Sequence, residues 1–368
     1  MSVKRVAINT GGGDCPGLNA VIRAVVTVGK ERYGWEILGV EDALSGLIDL
    51  DYRSPYGNRW LELEDVRGLL SRGGTMLGTS NRSDPFRYVV TDPDGTEREI
   101  DVSGVVMENW KKLGLDAMVG IGGDGSMRIA SRFLELGMGI VGVPKTIDND
   151  LGATDQTFGF DTAIQIATDA LDRIRDTADS HDRVMLVEVM GRNAGWIALH
   201  AGIAGGADAI LLPEIPYRAQ VVAEMIQRRR SAGKNYSVIV VAEGATPYGG
   251  EVSQLEARLG EMPRLMGAAH RVAAQLDDYL HEASMRVTVL GHIQRGGSPT
   301  TFDRVLATRY GVMAAQLVHE EQFGKMVALR NGEIVAVDLK EAVTAPKLVD
   351  PSSQIVSQAR EIGICFGE

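Results

Sequence analysis

Short β-branched apolar runs alternate with helical patterns along most of the chain. VAINT precedes LNAVIRAVVTVGKER, and DAMVGIGG precedes SMRIASRFLEL. VMLVEVM precedes NAGWIALHAGIA, and VTVLGHI precedes DRVLATRYGVMAAQLVHE. Strand-then-helix repetition predicts an α/β fold whose parallel sheets are covered on both faces. No short repeat or low-complexity linker divides the chain, so two domains would have to exchange strands rather than hang on a tether. DPDGTERE, residues 92–99, reads as a surface turn, and Arg228–Arg230 as a solvated helix face.

The length of 368 residues is long for one core and fits two domains. A content of 44% hydrophobic and 24% charged residues is that of an ordinary soluble globular protein. MSVKRVAINT enters a strand pattern without an apolar targeting region, and no apolar run approaches a membrane span. Cys15 and Cys365 are too few for a disulfide framework or a thiolate metal site, so a reducing cytoplasm is expected. A net charge of -11 argues against nucleic acid as a partner but leaves room for small anions at local basic clusters.

Three strand ends carry phosphate-like chemistry. TGGGDCPGLN, residues 10–19, lies between a strand and a helix, where glycine lets backbone N–H groups approach an anion. It lacks the Gly-Lys-Ser/Thr ending of a Walker A motif, and a plain tight βα turn is the other reading. GIGGDGS, residues 120–126, repeats the design with an acid inside. Asp124 either caps the helix or faces a phosphate through a cation, which points to Mg²⁺. In GVPKTIDND, residues 142–150, Pro144 stops a buried strand, and Asp148 and Asp150 follow almost side by side. Like charges that close need a positive partner, and Lys145 already stands beside them. Asp124, Asp148 and Asp150 all fall at the C-terminal strand edge, where open α/β sheets bind ligands.

Further segments supply donors and acids. LGTSNRSDPF holds Arg82 in a Gly/Ser loop, and Arg183 and Arg192 stand before and after the VMLVEVM strand. VIVVAEGA ends on Glu243, and RVTVLGHIQRGGSP carries Arg286, His292 and Arg295. Arg forks suit phosphate oxygens, although any one of these could instead be a surface ion-pair partner. His292 alone reads equally as a satisfied loop histidine.

The motifs GGDCPGLN, GGDGS, PKTIDND, VEVMGR and GHIQRGGSP occur in that order up to about residue 315, and together they resemble the 6-phosphofructokinase family. The resemblance implies two doubly wound α/β domains with mostly parallel sheets and exchanged strands. Residues 1–158 plus 295–344 would bind ATP and Mg²⁺, and residues 159–294 plus 345–368 the sugar phosphate. It implies phosphoryl transfer to the 1-hydroxyl of fructose 6-phosphate. Asp148 resembles the general base, and Thr146 and Arg192 the groups that steady the phosphoryl. Asp124 resembles the magnesium-linked aspartate, with Asp150 in the same network. Gly13, Arg82 and the turn Gly123, Asp124, Gly125 and Ser126 resemble the nucleotide site, beside Lys145. Met190, Gly191 and Glu243 resemble sugar contacts, and His292 and Arg295 ligands of the 6-phosphate. Arg183 and Arg286 resemble a pair supplied by a neighbouring subunit, which implies a homo-oligomer, a tetramer more than a dimer.

Some positions depart from the family pattern. Leu44 stands where many bacterial members place an aromatic residue against adenine. At the family's effector site Arg23, Arg175 and Lys234 are kept while Thr27 replaces a basic residue, which points to weak or absent activation by ADP. The tail beyond Val343 receives no role. Diphosphate-using members pair a lysine at position 145 with an aspartate at the position of Gly125; here the turn is open, and Lys145 alone cannot reject ATP. A non-catalytic sensor on the same fold would need a damaged acid set. A dinucleotide oxidoreductase lacks the G-x-G-x-x-G spacing, leaving only Glu41 or Asp42 as a ribose acid.

Overall fold

The computed structural model describes residues 3–53, 57–252, 254, 259, 265, 267–281 and 283–368. Its larger sheet has seven strands. From the first half of the chain come β1 (Arg5–Thr10), β2 (Glu36–Val40), β3 (Arg59–Leu61) and, after the ribbon β4 (Tyr88–Thr91) and β5 (Glu97–Ile100), β6 (Ala117–Gly122) and β7 (Gly139–Pro144). A smaller sheet of four strands follows: β8 (Val184–Val189), β9 (Ala209–Leu211), β10 (Ser237–Ala242) and β11 (Met285–Val289). The chain then returns to the larger sheet with β12 (Lys325–Arg330) and β13 (Glu333–Asp338).

The larger sheet runs β13-β12-β7-β6-β1-β2-β3, parallel except at its two edges. The smaller runs β11-β8-β10-β9 and is parallel throughout. Their central strands β6, β8 and β10 are buried at every residue, as expected where helices cover both faces. Each sheet therefore draws on distant segments, and the last residues return to the smaller one, where Cys365 pairs in parallel with Ala209. On the larger sheet the helices Leu18–Tyr33 and Thr301–His319 pack closely enough that a Cβ on Gly311 would lie 2.7 Å from Ala24 Cβ. Among the described residues no helix is long and apolar enough to cross a membrane.

Two surface expectations need correction. The turn in DPDGTERE is confined to Asp92–Thr96, and Glu97 onward forms β5, paired antiparallel with β4. Ion pairs Arg87–Glu99 at 2.8 Å and Arg98–Asp92 at 2.9 Å join the two arms of this ribbon. Within Arg228–Arg230, Arg229 is not solvated: it turns inward to Asp208 at 2.7 Å, with 21% and 13% of the two side chains exposed.

Candidate active site

The glycine turns after β1 and β6 meet the loop after β7. Ser126, in the first turn of the helix Asp124–Glu135, packs its hydroxyl against Gly11 and Gly122. A Cβ on either glycine would fall 2.6 or 2.4 Å from that oxygen, so a larger residue at either position would push the serine away. The loop carrying Arg82 lies on the same turn, with Gly12 N–H donating to Ser80 O at 3.3 Å and the Thr79 hydroxyl donating to Gly12 O. Asp124 is half-exposed and paired with Arg128 at 3.0 Å. Around Gly125 there is open space: a Cβ built there meets no atom within 4 Å.

Lys145 is buried, and its Nζ donates to the Gly13 carbonyl oxygen. Among the described residues it makes no ion pair with Asp148 or Asp150, although both carboxylates are close enough to be felt. Burial pulls the ammonium below the usual lysine range. Its stem thus ties the first glycine turn to the loop of acids.

That loop is held open by Asn149, which adopts φ 52. The Asn149 side-chain oxygen accepts from Thr157 N–H at 3.0 Å, and the Thr157 hydroxyl donates to Thr146 O at 2.7 Å. Asp148 N–H donates to Thr146 Oγ1 at 3.1 Å. The Asp148 Oδ1 is buried and has no hydrogen-bond partner. Burial pushes this carboxyl up to about 7, helped by Asp150 and Glu243 and opposed by Arg295 and Lys145. Burial raises Asp150 as well, against a hydrogen bond from the Thr146 side chain. In the fold the upward push on Asp148 prevails, and the cations opposing it are Arg295 and Lys145.

From the smaller sheet, Met190, Gly191 and Arg192 leave β8 while Glu243 leaves the adjacent β10, all at C-terminal strand ends. Burial raises Glu243, with Arg192 the main opposing charge. Gly191 adopts φ 135, and the next turn is so close that a Cβ on Gly244 would sit 2.0 Å from Arg192 O. His292 and Arg295 lie in a short 3-10 helix, Gly291–Arg295, rather than in an open loop. His292 is exposed, whereas Arg295 reaches the first glycine turn and donates to Asp14 O at 3.1 Å.

Arg183 and Arg286 stand elsewhere. Arg183 precedes β8 and Arg286 is the second residue of β11, beside Met185, so both occupy the N-terminal end of the smaller sheet. Six residues of strand, about 20 Å at 3.3 Å each, separate that end from Met190. One protomer does not bring this pair to Glu243.

Two positioning residues escaped the sequence reading. Gln294, fully buried, accepts from Met190 N–H at 3.4 Å and donates to Gly291 O at 3.0 Å, joining the VEVMGR and GHIQR segments. Thr157 pins the acid loop as described. Gln294 lies inside a quoted motif, so its polarity between apolar and basic neighbours was the available signal; Thr157 offered none. Leu44, expected against adenine, is buried in the apolar cluster with Leu47 and Met127.

The fold and this site define an α/β protein that gathers glycine turns, arginines and a buried carboxylate at the C-terminal ends of its strands. The phosphofructokinase family model matches residues 5–318. An ATP-dependent 6-phosphofructokinase 2 of Clostridium perfringens is 50% identical over 100% of this chain and 99% of its own. An ATP-dependent 6-phosphofructokinase of Chloroflexus aurantiacus is 49% identical over 99% of this chain and 98% of its own. Among solved structures, phosphofructokinase from Pichia pastoris matches with a TM-score of 0.77 and 32% identity, covering 99% of this chain and 37% of its own. That from Saccharomyces cerevisiae gives 0.74 and 32%; this chain spans 47% of its length. The chain belongs to the phosphofructokinase family.

Proposed function

We propose that this chain is an ATP-dependent 6-phosphofructokinase, transferring the γ-phosphoryl of ATP to the 1-hydroxyl of fructose 6-phosphate in cytoplasmic glycolysis. The observation that carries the chemistry is the buried Oδ1 of Asp148, unpartnered and raised toward neutrality at the meeting point of both sheets. A base in that state takes a proton from an alcohol as the oxygen attacks phosphorus. Arg192 and Thr146 steady the moving phosphoryl, and Lys145, with the amides of the glycine turns, holds the donor phosphates. Met190, Gly191 and Glu243 orient the sugar, and His292 and Arg295 take its 6-phosphate. Residues 1–158 plus 295–344 form the donor domain, and 159–294 plus 345–368 the sugar domain.

Among the described residues no group of three or more acids, histidines or cysteines could hold a metal alone. Asp124, a single half-exposed carboxylate at a helix start, instead fits Mg²⁺ that keeps most of its ligands from phosphate and water. When bound, Mg²⁺ neutralises charge on the phosphoryl groups.

Coupled assays with ATP and with diphosphate, side by side on fructose 6-phosphate, test the reading. Turnover with ATP and at most a trace with diphosphate is expected; diphosphate use without ATP use would overturn it.

The position of Arg183 and Arg286 supports a shared site in a closed homo-oligomer, a tetramer more than a dimer. Exposed Val289, Ile293, Phe302 and Val305, from the C-terminal end of β11 onward, leave apolar surface that an oligomer could cover. Mixing inactive Arg183→Ala and Asp148→Asn chains should restore part of the activity, because one interface then pairs two intact half-sites. A fully active monomer in sedimentation run beside the assay would remove both arginines from the site.

A pH dependence follows from Asp148. The base acts ionised, so kcat/KM should fall as pH drops through about 7 in the free enzyme. Its folded value lies above the unfolded one, so its contribution to stability is present at low pH and lost as pH rises through about 7. Asp148→Asn should therefore melt higher than wild type at pH 8, with the gap closing towards pH 5. Thermal denaturation without ligands at both pH values measures it; equal gaps would contradict the raised carboxyl.

A pocket of about 470 Å³ lies between Arg175, Asp208, Arg229 and Lys234. Arg229 is already committed to Asp208 there.

A further inference from the structure

The segment after β13 lies beyond residue 318, where the family match ends, yet its path runs along the site. Lys347 N–H donates to the Asp150 carbonyl oxygen at 2.8 Å. Lys347 Nζ reaches the carbonyl oxygens of Thr154, at 3.2 Å, and Asp155. On its other side the Lys347 carbonyl accepts from Trp196 Nε1 at 2.8 Å, and the ammonium stands 5.5 Å from the centre of that ring. Next, Val349 N–H donates to Glu214 Oε1 at 2.9 Å, and the same oxygen accepts from Gly195 N–H at 3.0 Å.

These contacts join two loops. Asp150 closes the loop that carries Asp148, and Gly195 closes the loop that carries Arg192 and begins the helix Trp196–Ala204. The approach is tight, since a Cβ on Gly152 would lie 2.8 Å from Ala345 O. One end of the segment is anchored by Leu339 and Ala342, buried beside the larger sheet. The other end is anchored by buried Val356 and Ala359 and by Cys365 beside β9 of the smaller sheet. Burial brings the Lys347 ammonium down to about 8 against Asp155 and Asp150, so at neutral pH it keeps its donors for the carbonyl oxygens.

We propose that residues 345–349 are a strap holding the Asp148 loop in register with the Arg192 loop, with Lys347 and Glu214 as positioning residues for phosphoryl transfer. The inference rests on the function proposed above. A reaction that depends on alignment is sensitive to displacements of about 1 Å, which cost on the order of 10²-fold in rate. Loss of the strap should therefore appear in turnover rather than in substrate binding.

The test uses full-length Lys347→Met, Lys347→Arg, Glu214→Ala and Leu348→Ala. Lys347→Met and Glu214→Ala should each lower kcat by about 10–100-fold with KM for ATP and fructose 6-phosphate held within about threefold. Lys347→Arg should recover most of the loss. The Lys347→Met, Glu214→Ala double variant should be no worse than the poorer single one, because both release one strap. Leu348→Ala, at a side chain 45% exposed, should match wild type. Backbone hydrogen exchange should quicken at both 148–154 and 191–195 in the two weakened variants. Wild-type kcat in folded Lys347→Met, a loss confined to KM, or no rescue by arginine would overturn the strap. If Lys347→Met does not fold, Glu214→Ala and Lys347→Arg decide on the same criteria. Should the wild type fail to phosphorylate fructose 6-phosphate, the proposed function falls, and the exchange data alone decide the strap.

Discussion

Asp148→Asn is expected to lower kcat by roughly 10²–10⁴-fold, the usual range for a lost general base, while fructose 6-phosphate still binds nearly as in the wild type. The amide keeps the shape of the side chain, so the loop held by Thr157 and Asn149 has no steric reason to move. The change removes the buried, unpartnered Asp148 carboxylate as a proton acceptor. Binding should persist because the determinants proposed for it lie elsewhere, on Glu243, His292, Arg295 and the arginine pair proposed to come from a neighbouring subunit. Single-turnover assays with equilibrium binding of fructose 6-phosphate separate the two effects. Near-normal turnover would remove Asp148 from the mechanism, and a matching collapse in binding would make it a sugar ligand instead.

Gly125→Asp is expected to abolish the use of ATP. Space is not the obstacle to the substitution, because a Cβ at this position meets nothing within 4 Å and the chain should fold normally. The obstacle is charge: a second carboxylate beside Asp124 would face the donor phosphates of the proposed nucleotide site. Misplaced like charges cost several kcal/mol, which corresponds to about 10²–10³-fold or more in kcat/KM for ATP. Unchanged melting together with lost ATP turnover is the expected pair of results. Diphosphate use need not appear, since a new specificity requires attractive contacts as well as an excluded rival. Retained ATP turnover in a folded Gly125→Asp enzyme would show that the nucleotide does not pass this turn.

The sequence reached the architecture through local rules. Continuous apolar runs followed by helical spacing mark parallel strands and their cover, and glycine, proline and aspartate at strand ends mark the ligand edge. Those rules placed Asp124, Asp148, Asp150, Met190 and Glu243 at C-terminal strand ends, where the fold has them. They also placed Arg183 just before one strand and Arg286 at the start of another, and parallel pairing then puts that pair at the opposite end of the sheet. Periodicity within a strand or helix is a property of neighbouring residues, so it is legible without the fold.

What only the tertiary structure decided concerns side chains whose partners are far away in sequence. Lys145 turns to Gly13 O rather than to the adjacent acids, and Arg295 reaches Asp14 across the boundary between sheets. Arg229 leaves its solvated neighbours for Asp208, and Lys347 closes against Asp150 and Trp196. Each choice depends on which surfaces pack together and on how much water they exclude, because burial sets both the cost of an unpaired charge and the strength of a paired one. The strand and turn signals were therefore written into the local sequence, whereas the direction of each charged side chain was settled only when the two sheets came together.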